Sequence, residues 1–114
     1  MPPLVGISSS PALRRSPVLE VDRSLTTLDR AYVDAVTDAE GAAVILPVQS
    51  PGNAEVAVEH LDALILSGGG DVAPERYGAT RHPAVGGVDE ARDAWEVALI
   101  AQARQRSLPI LAIC

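Results

Sequence analysis

The sequence predicts an α/β fold in which helices flank both faces of a mainly parallel sheet, giving three layers. Two observations carry this prediction. Four short apolar runs are continuous rather than alternating, as is typical of parallel strands buried on both faces. Segments with helical periodicity separate these runs, so strand and helix alternate along the 114 residues. The order predicts right-handed crossovers and one domain over residues 1–114. The four runs are residues 4–7, 43–48, 63–66 and 109–113.

The first two helices are predicted from spacing and from residues suited to helix ends. Between residues 25 and 39, apolar side chains recur at steps of three and four. Ser24 is placed to cap the start of this helix, and Gly41 fits the position just past its end. A shorter helix is predicted around residues 53–60. The segments 8–23 and 68–88 are predicted to be loops.

The third helix, over residues 89–106, has the clearest signals. Asp89 is its predicted N-cap, acidic residues fill its first turn, and arginines fill its last turn. This charge distribution complements the helix dipole. The residues expected to face the sheet are Ala91, Trp95, Ala98 and Leu99.

Composition narrows the possible functions. The net charge is −6 and all nine basic residues are arginine, so no clustered basic surface is expected for nucleic acid or an anionic membrane. The absence of lysine excludes a P-loop. A single cysteine cannot form an internal disulfide, and neither a signal peptide nor a membrane-spanning run is recognisable. We therefore expect a cytoplasmic protein with no metal or cofactor.

Two features should meet at one edge of the sheet. The stretch "SGGGD" (67–71) leaves the third predicted strand, and Cys114 follows the fourth. The carboxyl ends of parallel strands share an edge, and ligands bind there. Consecutive glycines let backbone N–H groups approach an anion, although a tight turn explains them equally well. A cysteine at a strand end is either a small buried hydrophobe or a nucleophile presented at a sharp turn.

The stretches "LDALILSGGGDVAPERYG" and "VDEARDAWEVALIAQARQRSLPILAIC" resemble the gamma-glutamyl-gamma-aminobutyrate hydrolase family, within the class I glutamine amidotransferase-like superfamily. The segments "PLVGISSS" and "AYVDAVTDAEGAAVILPV" are also similar to it. The resemblance implies a flavodoxin-like fold and a thiol hydrolase with a Cys-His-Glu triad that cleaves small gamma-glutamyl amides without a cofactor. It implies that Cys114 is the nucleophile and that the N–H of Gly69 helps to form the oxyanion hole. Gly68 and Gly70 would shape that loop.

The chain departs from the family pattern in several places. Ala112 stands two residues before the cysteine, where the family usually has glycine, and Ala73 replaces a frequent aspartate in the glycine loop. The resemblance puts the histidine and glutamate of the triad beyond residue 114. We therefore expect the amino-terminal part of the fold, ending after about the fourth strand, and no activity from this part alone. His60 and His82 are expected on the surface rather than as a substitute base.

Other interpretations stay open at this point. One is the glutaminase portion of an amidotransferase that passes ammonia to a partner. Another is a non-catalytic remnant that assembles, as a homo-oligomer for example, through an unpaired strand edge. A flavodoxin or a response regulator would share this layer pattern. Membership of either class is disfavoured because no acidic cluster follows the first strand. Arg92 and Asp93 fit the family pattern, and we expect a structural salt-bridge role for them.

Overall fold

The computed structural model describes residues 1–114, with six strands, three α-helices and two short 3₁₀ turns. The 3₁₀ turns are Pro51–Asn53 and Pro74–Tyr77. The strands and helices, in chain order, are β1 (Leu4–Ser8), β2 (Ser10–Arg15), β3 (Asp22–Thr27), α1 (Arg30–Asp38), β4 (Ala42–Leu46), α2 (Ala54–Val58), β5 (Ala63–Leu66), α3 (Glu90–Gln105) and β6 (Ile110–Ala112).

The main sheet has four parallel strands in the order β4-β1-β5-β6. Leu4 pairs with Ala42 on one side of β1, Val5 pairs with Ala63 on the other, and Leu64 pairs with Ile110 further out. These strands coincide with the four predicted apolar runs to within two residues at each end. The predicted α/β fold with a mainly parallel sheet is confirmed.

Helices lie on both faces of this sheet. On one face, α2 and α3 pack against the strands and enclose the hydrophobic core, with Trp95 and Leu99 of α3 fully buried. On the other face, α1 borders an apolar groove of about 450 Å³ above β1, β5 and β6. The core cluster consists of Leu46, Ala54, Val58, Leu61, Leu64, Leu66, Trp95, Leu99 and Ala103.

Burial is less complete than the apolar runs predict. The prediction that every strand is buried on both faces holds best for the central strands and is wrong for the edges. Val44 and Ile45 of β4 are 38% and 44% exposed, and Leu111 of β6 is 57% exposed. An edge strand has a neighbour on one side only, and one short helix cannot cover the whole second face. In α3, Ala91 is exposed rather than facing the sheet.

The segment before α1 differs from its prediction. Residues 10–15 and 22–27 form an antiparallel pair, the β2–β3 ribbon, in which Ser10 pairs with Thr27 and Arg15 with Asp22. Ser24 therefore lies in a strand and caps no helix. The helix begins at Arg30, and the carboxylate of Asp29 accepts from the Ala31 N–H at 2.8 Å as its cap. The predicted loop over residues 8–23 was likewise wrong, because it contains β2 and the start of β3.

The end of α1 places an unusual residue in a left-handed conformation. Glu40 has φ 66°, while its N–H donates to the Thr37 carbonyl and the Gly41 N–H donates to the Val36 carbonyl. These two bonds form a Schellman motif, in which glycine normally occupies the left-handed position. Gly41 follows the helix as predicted, but the residue that needs glycine's conformational freedom is Glu40.

Replacing Glu40 with glycine should stabilise the chain by about 0.5–1 kcal/mol. Glycine removes the steric cost of the left-handed conformation, and the added flexibility of the unfolded chain offsets part of that gain. Urea unfolding followed by circular dichroism measures the change. Ala35→Gly, at an exposed position inside the same helix, is the control and should destabilise by about 1 kcal/mol. A Glu40→Gly midpoint at or below that of the unchanged chain would contradict the prediction.

The longest helix is α3, with 16 residues. No helix in the structure combines the length and the apolar character that crossing a membrane requires.

Candidate active site

The glycine loop and Cys114 meet at the carboxyl edge of the parallel sheet. The Ile113 N–H donates to the Leu66 carbonyl at 2.9 Å, which carries the chain alongside the end of β5. Gly68 follows β5 and lies so close to Cys114 that a β-carbon on Gly68 would overlap the Cys114 carbonyl oxygen. The structure therefore brings together the two features that topology predicted to be neighbours.

Cys114 is exposed at this edge and does not lie inside the hydrophobic layers. With Gly69 and Gly70 it lines a cavity of about 320 Å³. Residues of α3, including Arg92 and Glu96, also line this cavity. A thiol, an open glycine loop and a charged helix face thus border one cavity.

Each glycine of the loop faces a neighbour that leaves no room for a side chain. A β-carbon on Gly69 would overlap the guanidinium of Arg92, and one on Gly70 would overlap the backbone carbonyl of Gly87. The Gly68 N–H donates to the Tyr32 hydroxyl at 3.0 Å, whereas the Gly69 N–H donates to no protein acceptor. The loop is held closely, yet the N–H groups of Gly69 and Gly70 have no acceptor within the chain.

Arg92 ties α3 to this loop. Its side chain is buried, and its Nη2 donates to the Ser67 carbonyl at 2.7 Å and to the Gly68 carbonyl at 3.4 Å. Its Nη1 donates to the Ser10 hydroxyl at 2.7 Å, and its Nε pairs with the Glu96 carboxylate. A buried guanidinium with its donors satisfied fixes the position of the loop carbonyls.

The salt-bridge expectation for the pair Arg92 and Asp93 is half right. Arg92 forms an ion pair with Glu96, but Asp93 forms none. The Asp93 carboxylate accepts from the Ala73 N–H at 2.9 Å and so fastens the far side of the glycine loop. Asp89 caps α3 as predicted, accepting from the Arg92 N–H at 2.8 Å.

Sequence reasoning missed the hydroxyl groups that support the site. The Ser67 N–H donates to the Ser8 hydroxyl at 3.0 Å, and the Ser67 hydroxyl donates to the Ser8 carbonyl at 2.6 Å. The Ser8 hydroxyl in turn donates to Glu96 at 3.4 Å. The available signal was the presence of serine immediately after two buried strands. Tyr32 falls among the apolar positions of the first predicted helix, although its hydroxyl accepts from the Gly68 N–H.

Neither histidine lines the cavity that contains Cys114. His82 is exposed in the loop before α3, where its Nδ1 accepts from the Ala84 N–H at 3.0 Å. His60 follows α2 and precedes β5, which places it at the amino edge of the sheet, opposite Cys114. Neither is placed to act as a base toward the thiol.

A family model described as Peptidase C26 matches residues 3–114. The chain belongs to the peptidase C26 family. This membership supports the broader part of the sequence resemblance, a glutamine amidotransferase-like domain. The roles of Cys114 and of Gly68, Gly69 and Gly70 stay predictions.

Relatives of this peptidase C26 chain come from several bacteria. It is 33% identical to the protein NtpR of Enterococcus hirae over 114 residues, 100% of this chain and 47% of the relative. It is 37% identical to a provisionally named glutamine amidotransferase of Mycobacterium tuberculosis, over 98% of this chain and 36% of the relative. It is 34% identical to the gamma-glutamyl-gamma-aminobutyrate hydrolase of Escherichia coli O157:H7, over 77% of this chain and 35% of the relative. The chain spans half or less of the length of these three curated relatives.

Proposed function

We propose that this chain carries the nucleophile and the oxyanion loop of a thiol hydrolase that cleaves gamma-glutamyl amides. The observation that supports this most directly is the contact between Gly68 and Cys114, beside a Gly69 N–H that has no protein acceptor. A nucleophile and an N–H donor that line one cavity are two of the groups that acyl transfer uses.

The proposed reaction proceeds in two steps. The Cys114 thiolate attacks the gamma-carbonyl carbon and forms a C–S bond, and the Gly69 N–H stabilises the oxyanion. The amine then leaves with a proton, and water cleaves the thioester to release glutamate and regenerate the thiol. One donor of this kind lowers the barrier by about 2.7–4 kcal/mol. The base that moves the protons would be the histidine of the triad implied by the sequence resemblance.

Two substrate types share the gamma-glutamyl half. The name of the Escherichia coli O157:H7 relative favours gamma-glutamyl-gamma-aminobutyrate as the substrate. The name of the Mycobacterium tuberculosis relative favours glutamine, with ammonia passed to an acceptor. We propose the first type, because the resemblance in the glycine loop and in α3 is to that family. Ammonia transfer is the second candidate, and co-purification with a synthetase would favour it. In either case we propose the cytoplasm, where the thiol stays reduced.

A chloromethyl ketone that carries the gamma-glutamyl group tests the proposal on the 114-residue chain itself. The thiolate displaces chloride and forms a stable thioether. This product is not hydrolysed, so the experiment needs no base to complete a catalytic cycle. We expect Cys114 to be alkylated at least tenfold faster by this reagent than by an acetyl chloromethyl ketone of equal intrinsic reactivity, because bound reagent reacts at a high effective concentration. Intact-mass spectrometry measures both rates.

The controls separate recognition from simple reactivity. A gamma-glutamyl amide added in excess should slow labelling by the gamma-glutamyl reagent only. Cys114→Ser should abolish labelling by both reagents. Equal rates for the two reagents, with no protection by the amide, would refute the proposal.

Assembly without catalysis is the remaining candidate, and the exposed edge of β6 is the observation that favours it. Leu111 and Ile113 are 57% and 42% exposed, and the apolar groove beside α1 opens on the same side of the sheet. The occupant would be a second copy of the chain, added through its own β6 edge. A stable dimer by light scattering, together with unselective labelling of Cys114, would favour this candidate over hydrolysis.

A further inference from the structure

A second and larger cavity, of about 780 Å³, adjoins the glycine loop. It lies between the β2–β3 ribbon and α1. Its floor includes Ser67, Gly68 and Ile113, and Ser67 and Ile113 also line the cavity that contains Cys114. Gly68, part of this lining, lies against the backbone carbonyl of Cys114.

The ribbon supplies a positive charge to this cavity. Arg14 lines it, and the antiparallel register sets Arg14 directly opposite Arg23, so the two cations share one face of the ribbon. No carboxylate forms an ion pair with either of them. Their neighbour Arg15, on the other face, pairs with Asp22 at 3.8 Å. Like charges directly opposite one another are unfavourable, and a bound anion relieves that cost.

The start of α1 supplies a negative charge to the same cavity. Asp29 lines it, and only its Oδ1 is used, as the acceptor for the Ala31 N–H. Its Oδ2 has no hydrogen-bond or ion-pair partner within the chain. The cavity therefore presents one cation and one anion on separate walls, and Tyr32, whose hydroxyl accepts from the Gly68 N–H, also lines it.

We infer that this cavity binds the α-amino-acid head group of the gamma-glutamyl substrate, with Arg14 holding the α-carboxylate and Asp29 the α-ammonium. The inference rests on the proposed function. A guanidinium binds a carboxylate through two parallel hydrogen bonds, and a carboxylate oxygen accepts from an ammonium group. Two methylenes separate the α-carbon from the gamma-carbonyl carbon, so the head group has to be bound next to the thiol. The lining of this cavity includes Gly68, which contacts the backbone of Cys114, and this contact favours such a placement.

Three ligands test this assignment by calorimetric titration of the 114-residue chain. The first is gamma-glutamyl-n-butylamide. The second, 4-aminobutanoyl-n-butylamide, lacks the α-carboxylate, and the third, glutaric acid mono-n-butylamide, lacks the α-amino group. We expect the first to bind about tenfold more tightly than either analogue, because each loses one charge-assisted contact.

Two variants assign the contacts to residues. Arg14→Gln should remove the preference for the first ligand over the analogue without the carboxylate and keep the preference over the analogue without the amine. Asp29→Asn should do the reverse, and asparagine preserves the helix cap. Arg15→Gln is the matched control on the opposite face of the ribbon, and its affinities should equal those of the unchanged chain.

The outcomes distinguish this inference from the proposed function. If the unchanged chain binds all three ligands equally, the head-group assignment is wrong and gamma-glutamyl amide hydrolysis is untouched. If Arg14→Gln weakens all three ligands by the same factor, the assignment is wrong as well. If none of the ligands binds the unchanged chain, both proposals fall.

Discussion

Replacing Arg92 with alanine should lower the free energy of unfolding by about 3–5 kcal/mol and abolish the labelling preference of Cys114. The substitution leaves the Glu96 carboxylate, only 18% exposed, without its counter-ion. It also removes the donor that binds the Ser67 and Gly68 carbonyls. Breaking a buried pair by removing one partner costs this much because the remaining charge stays desolvated. Urea unfolding measures the free energy of unfolding. The ratio of the Cys114 labelling rates with the two chloromethyl ketones reports whether the glycine loop keeps its position.

Two further substitutions show whether the guanidinium itself is needed. Arg92→Lys keeps the positive charge but cannot donate to the serine hydroxyl, the two loop carbonyls and the glutamate carboxylate at once. It should therefore restore more of the free energy of unfolding than of the labelling preference. Arg104→Ala, in the exposed last turn of the same helix, should change the free energy of unfolding by less than about 0.5 kcal/mol. An Arg92→Ala chain with unchanged stability and labelling would show that the network is incidental.

Trp95→Ala should also destabilise by about 3–5 kcal/mol. Trp95 is fully buried between α3 and the sheet, and the truncation removes the largest side chain of the core. A small domain has a total stability of about 5–15 kcal/mol, so this single change consumes much of it. Circular dichroism during urea unfolding is the measurement, since Trp95 is the only tryptophan and fluorescence would be lost with it.

Two variants in the same helix separate volume from polarity. The Trp95 Nε1 is buried without a hydrogen-bond partner. Trp95→Phe fills most of the same space and removes that unpartnered donor, so its cost should be well below that of alanine. Val97→Ala, at a position 49% exposed, should stay within about 0.5 kcal/mol of the unchanged chain. A cost for Trp95→Phe equal to that for alanine would contradict this account.

Local patterns were sufficient to predict the main sheet and α3. A continuous apolar run such as "ALIL" is stable only when its side chains are removed from water, so it predicts a buried strand. β5 has the bounds that the sequence predicts. Asp89 caps α3 as predicted because an aspartate before a helix bonds the free N–H groups of its first turn. These signals lie within a few residues of the element that they determine.

The β2–β3 ribbon was not predicted because its pairing is not local. Leu25 and Leu28 have the spacing of a helix face, yet residues 22–27 pair with residues 10–15 and become a strand. Pro11 and the arginines of β2 give no alternating pattern that would indicate a strand. Tertiary pairing therefore outweighed the weaker helical preference of the segment.

Topology predicted where the candidate site lies but not what holds it. The carboxyl edge of a parallel sheet was enough to place Gly69 near Cys114. The contacts from Arg92, Asp93 and Tyr32 to the loop depend on the orientation of the helices against the sheet. The spacing of residues along the sequence does not determine that orientation. The segment "DEARDAWE" (89–96) can be read in the sequence, but its function as a support for the loop became apparent only from the hydrogen bonds.

The tip of the β2–β3 ribbon, where Val18 is 86% exposed and Leu19 is 60% exposed, contributes no side chain to the hydrophobic core. A protein can tolerate a longer, shorter or different loop at such an exposed tip, because the hydrophobic core stays intact. Descendants of one ancestral scaffold could thus acquire new ligand preferences by remodelling this hairpin alone. The same property makes residues 16–21 a natural graft point for laboratory evolution.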